Sequence, residues 1–148
     1  MPKKQTIELA RRDEREGKSA STQAGEFVRE EIEEIRAGKH GARSTKQAIA
    51  IGLSRARRAG VRLAPPKPGK TSEATRHKAQ LDLEKADSGK KPSAKRSQAT
   101  LKALQRESGA AASPEALSRQ ARTAASKRSA AKRSASTKKA ARTRKGEK

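Results

Sequence analysis

The sequence predicts a mostly α-helical protein: a short helical hairpin followed by a largely disordered, helix-capable basic tail. Three observations carry that expectation. Apolar residues recur at helical spacing over 24–35 and 49–59, no segment alternates with a period of two, and large apolar side chains are scarce. Of 148 residues, 28 are Ala and 17 carry a larger apolar side chain, and 12 of those 17 precede residue 65. Leu, Ile, Val and Phe together number 16, too few for a highly charged chain to hold a conventional core. Ordering a residue costs ~1–2 kcal/mol of backbone entropy, while a buried Leu or Ile returns about 1.5–3 kcal/mol. The expectation is that no single compact globule forms.

Residues 1–20 read as a flexible or short helical N-terminus, with Thr6–Glu16 a mostly charged helix stopped at Gly17. Residues 21–64 form the helical hairpin. Ser21 or Thr22 caps its first arm, which runs to about Ala37 and stops at a left-handed Gly38. Ala24, Val28, Ile32 and Ile35 share one face of that arm, with Phe27 beside them. The second arm opens on a capping box, Ser44-Thr45-Lys46-Gln47: the Ser44 hydroxyl takes the Gln47 amide, and the Gln47 side chain returns to Ser44. This arm runs to Ala59 and stops at Gly60. Ile49, Gly52, Leu53, Ala56 and Ala59 make its apolar stripe, and Lys46, Arg55, Arg57 and Arg58 lie opposite with Ile51 exposed among them.

Residues 65–70 are a Pro-rich joint that no helix crosses. Residues 71–112 read as a polar, helix-capable linker, with pieces at Ser72–Ala86 and Ser93–Glu107. Residues 113–148 are a basic Ala/Ser/Lys/Arg tail opening on Ser113-Pro114-Glu115, a cap, a first-turn Pro and an acid at the positive helix end. Ala favours a helix there and like charges oppose it, so disorder is expected until a polyanion binds.

Charge points to the partner. The chain carries net +22, and residues 119–148 hold 12 basic residues against Glu147 alone. Neutralising phosphates releases condensed counterions and drives binding without sequence preference. With no Tyr or Trp and one Phe, the chain lacks stacking platforms for unpaired bases, which favours a duplex. The expected contacts are Arg119, Arg122, Lys127, Arg128, Lys132, Arg133, Lys138, Lys139, Arg142, Arg144 and Lys145, with Arg55, Arg57 and Arg58 as a secondary patch.

The expected function is sequence-non-specific binding of double-stranded DNA by a cytoplasmic, nucleoid-associated or DNA-compacting protein. The hairpin would serve for homo-oligomerisation or a protein partner, with no membrane involved. Two alternatives stand: a ribosome- or RNA-associated basic protein, and a protein-interaction adaptor held on nucleic acid by its tail. Catalysis, cofactors and metals are not expected. There is no Cys, no nucleotide-binding or hydrolase motif, no secretory leader and no apolar run long enough to span a membrane. His40 and His77 read as solvated surface residues. Glu30, Glu31, Glu33 and Glu34 read as a solvated acidic face or as partners of Arg55, Arg57 and Arg58 within the hairpin.

The stretch from Gly25 to Gly60, above all Ser44-Thr-Lys-Gln-Ala-Ile-Ala-Ile-Gly-Leu-Ser54, resembles a family of small basic bacterial proteins of uncharacterised function. The likeness covers roughly residues 21–66 and implies a bacterial, non-enzymatic protein with no assigned site residues. From Ser113 onward the composition resembles the histone-like, Ala/Lys-rich tails of bacterial nucleoid proteins.

Overall fold

Serines set where the helices start. Ser19, Ser44, Ser72, Ser93 and Ser129 each hold extended backbone, and each side chain accepts the amide three residues on. The computed structural model describes residues 1–146. Its helices are α1 (Lys4–Arg15), α2 (Ala20–Arg36), α3 (Thr45–Arg58), α4 (Glu73–Ser88), α5 (Ala94–Gln105), α6 (Pro114–Ser126) and α7 (Ala130–Arg144), with a single 3₁₀ turn at Gly109–Ala112. No strand occurs among the described residues, in keeping with the missing period-two pattern.

Local chemistry shifts two of the expected caps. Ser19, not Ser21 or Thr22, starts α2, and the Gln23 side chain donates back to the Lys18 carbonyl at 3.0 Å. Ser44 takes the Gln47 amide at 3.1 Å as expected, but the Gln47 side chain accepts from the Arg43 amide instead of Ser44. The stops at Gly38 and Gly60 do have positive φ, +75° and +103°.

Residues 1–113 form one compact unit, contrary to the expectation that the chain lacks a core. Helix α2 packs on α1 and α3, α4 packs on α3, and the 3₁₀ turn packs on α2 and α3. Small residues replace bulk. Ala24, Ala48, Ala56 and Ala112 are fully buried, as are Phe27 and Ile35, and Ala24 and Ala56 cluster with Phe27. Gly52 on α3 touches α2 so closely that a Cβ there would lie 2.6 Å from the Val28 Cα. Close backbone approach gives many short-range contacts per residue, so few large side chains suffice.

Segment 71–112, read above as a linker, is built into the same unit. Asp82 of α4 is buried and accepts from Ser54 Oγ at 2.6 Å and Arg58 Nε at 2.7 Å, both on α3. The carbonyls of Ala111 and Ala112 accept from Thr45 Oγ1 at 2.7 Å and Arg36 Nε at 2.8 Å. These partners lie far apart in sequence, so no local pattern revealed them.

The tail is not disordered. From Pro114 the chain forms a second unit containing α6 and α7. Nine alanines between 114 and 146, with Lys and Arg themselves good helix formers, outweigh like-charge pairs that oppose a helix by only ~0.2–0.5 kcal/mol each. The tail as read from sequence ends with Glu147 and Lys148, which lie outside the described residues.

Candidate functional site

Exposed cations follow one another along α6, α7 and the residues between and just after them. Arg119, Arg122, Lys127, Arg128, Lys132, Arg133, Lys138, Lys139, Arg142, Arg144 and Lys145 are all exposed. Among the described residues none of these eleven is ion-paired to a carboxylate. Arg128 donates to the Lys132 carbonyl at 3.1 Å and to Ser136, gathering rather than neutralising charge. The surface offers solvated point charges, which suit phosphate groups.

The arginines of the secondary patch are engaged within the first unit. Arg55 lies 2.9 Å from Glu31 and 2.8 Å from Glu34, and Arg58 is bound to Asp82. Arg57 is buried and donates to the Leu63 and Ala64 carbonyls. Burial also pulls its pKa below the ordinary arginine value, the Asp82 charge opposing. Arg55 ties α3 to α2, Arg58 ties it to α4, and Arg57 binds the chain that follows α3, so all three cations already have partners. Of the three, Arg55 alone pairs with the α2 glutamates.

The acidic face and His40 are only partly as expected: Glu33 is exposed and Glu34 half-buried, but the rest is not solvated. Glu30 and Glu31 are buried, and His40 is 6 % exposed, whereas His77 is exposed as expected. Glu30 accepts from the Lys3 amide at the start of α1 at 3.0 Å, where a negative charge suits the helix end. Glu31, Glu34, His40 and Arg55 converge between α2, the α2–α3 connection and α3. His40 is fixed there by its neighbour: the Gly41 amide donates to the Leu104 carbonyl, and a Cβ on Gly41 would lie 2.1 Å from the Glu107 carbonyl oxygen.

Electrostatics divides the two carboxylates. Burial pushes the Glu31 carboxyl above its ordinary value, with the nearby Arg55 charge opposing. Burial acts the same way on Glu34, but its hydrogen bond and charge contact with Arg55 win, and its pKa lies below the ordinary value.

All four residues of this cluster lie within the segment that matches a family model. Residues 15–68 match the family of unknown function DUF6496. The DUF6496 segment takes in α2, the connection bearing His40, α3 and the start of the Pro-rich joint. It agrees with the resemblance to an uncharacterised family over residues 21–66. No curated protein and no solved structure matches the chain. Among the described residues no helix is long and apolar enough to cross a membrane.

Proposed function

We propose that the protein binds double-stranded DNA without sequence preference, as a nucleoid-associated or compacting factor acting through α6 and α7. The supporting observation is the division of labour among its cations: eleven exposed, unpaired Lys and Arg follow Pro114, while Arg55, Arg57 and Arg58 are engaged within the first unit. Unpaired, solvated cations exchange water and counterions for phosphates, whereas paired or buried ones would first have to break internal contacts. Phe27, the one aromatic residue, is 1 % exposed, so base stacking has no platform and the phosphate backbone is the natural ligand.

The test compares the full chain with residues 1–113 in duplex binding by fluorescence anisotropy across a salt series. The full chain binds unrelated duplexes equally, and truncation weakens every one of them and flattens the salt dependence. A truncated protein with undiminished affinity overturns the proposal. Stronger binding to structured RNA than to duplex DNA of equal length would transfer the same surface to an RNA partner.

A further inference from the structure

The geometry around His40 points to a cation site, and we propose that Glu31, Glu34 and His40 bind one Zn²⁺. A carbonyl oxygen can only accept, so the 3.0 Å contact between His40 Nδ1 and the Gly41 carbonyl places a ring proton on Nδ1. In the neutral ring Nε2 then presents its lone pair. It faces Glu31 Oε1 at 3.4 Å and Glu34 Oε2 at 3.7 Å. Nε2 has no hydrogen-bond partner, nor do the Glu31 oxygens, although the His40 side chain is 3 % exposed and that of Glu31 is 0 %. Three electron-rich atoms thus turn on one buried point.

Their spacing fits a metal better than a hydrogen bond. Hydrogen bonds between such atoms run about 2.7–3.0 Å. The edges of a tetrahedron with metal–ligand arms of 2.0–2.2 Å run about 3.3–3.6 Å. All three ligand atoms lie within 4.8 Å of one another. The Nδ1–H to carbonyl bond is the outer contact that fixes a metal-binding imidazole.

Arg55 does not block this point. It meets Glu31 through Oε2, not the Oε1 that faces His40, at 2.9 Å but out of hydrogen-bond alignment. Its bond to Glu34 Oε2 leaves that oxygen a second lone pair. One imidazole and two carboxylates suit Zn²⁺, whereas Mg²⁺ and Ca²⁺ require larger all-oxygen shells. Bound there, the ion ties α2 to the α2–α3 connection. The inference is independent of DNA binding.

Two histidines in the chain make the experiment direct. Long-range ¹H–¹⁵N NMR of the full chain follows both rings as ZnCl₂ is added, and a chromophoric chelator in competition gives stoichiometry and affinity. One Zn²⁺ per chain is expected, with the His40 Nε2 resonance shifting, Nδ1 staying protonated and His77 unmoved. Glu31→Gln and His40→Gln weaken binding by about tenfold or more, and His77→Gln leaves it unchanged. Glu31→Gln swaps a buried carboxylate for its uncharged near-isostere, so it reports on the site even if His40→Gln disturbs the fold. The proposal fails if His77 responds as strongly as His40, if affinity survives Glu31→Gln, or if a several-fold excess of Zn²⁺ moves neither ring.

Discussion

Glu31 occupies a position that its helix otherwise gives to apolar side chains. It stands four residues after Phe27 and four before Ile35, both fully buried, and is itself 0 % exposed. Taking a carboxylate out of water is costly, and Arg55 offsets only part of that. The two glutamates near Arg55 should therefore give opposite pH signatures in the metal-free protein. Glu31 has a raised pKa, so its folded state loses stability as pH climbs from the ordinary 4.5 through the raised value. Glu31→Gln should accordingly raise the metal-free thermal midpoint at pH 7, with the gain vanishing below pH 4.5. Glu34 has a lowered pKa, so its contribution is complete above 4.5 and is lost as pH falls through the lower value. Glu34→Gln should lower the neutral-pH midpoint, with the gap closing in acid. Thermal melts of both variants from pH 3 to 8 check the signs. Glu31 was legible in principle, because its spacing from Phe27 and Ile35 continues the stripe, but its charge pointed to solvent. His40 was not legible, because its burial depends on Gly41 meeting backbone from residues 104–107, far along the chain.

At the scale of the helix, starts and stops follow short-range rules and interfaces do not. A Ser cap and a left-handed Gly act within four residues, so α2 and α3 could be read directly and α1, α4 and α5 as helix-capable pieces, whereas α6 and α7 fall in the stretch expected to be disordered. The docking of α4 could not, since it rests on Asp82 reaching Ser54 and Arg58 across 24 or more residues. The contact between α2 and α3 is testable through two glycines inside helices. Gly52→Ala gains ~0.5–1 kcal/mol of helix propensity, but its Cβ would meet the Val28 backbone at 2.6 Å. Overpacking of that kind costs ~1–3 kcal/mol, so the net effect should be destabilising. Gly25→Ala makes the same change in α2 where a Cβ would have nothing within 4 Å, and should stabilise by ~0.5–1 kcal/mol. Urea unfolding of the two variants separates packing from propensity: midpoints moving in opposite directions establish the close approach, and two equal gains would refute it.

Among the described residues, ion pairs between cations and carboxylates are confined to the first unit. In the first unit Lys18, Arg55, Arg58, Arg62 and Arg76 face carboxylates, and that unit holds 14 of the 16 acidic residues. From Pro114 onward the described cations have no such partners. Because α7 is helical, its cations occupy fixed sides instead of forming an averaged cloud. At ~100° per residue, Lys132, Lys138, Lys139 and Arg142 fall within about a third of the circumference, while Arg133 and Arg144 lie on the other side. A helix laid along a duplex can bring one side to the phosphates at a time. If about half of the eleven exposed cations make contact, log K should fall with log[salt] at a slope near −5, from about −0.9 per phosphate. Changing Lys132, Lys138, Lys139 and Arg142 together to Gln should reduce the magnitude of that slope by up to about 3.6. Arg133→Gln with Arg144→Gln should change it by less than 1 on the same scale. Gln retains good helix propensity, and circular dichroism verifies that α7 persists in each variant. An unstructured polycation makes a different forecast, an equal loss per charge removed wherever the charge lies. Equal per-charge losses would show that α7 meets DNA as a flexible polyelectrolyte, and a loss concentrated in the quartet would show that it docks by one face.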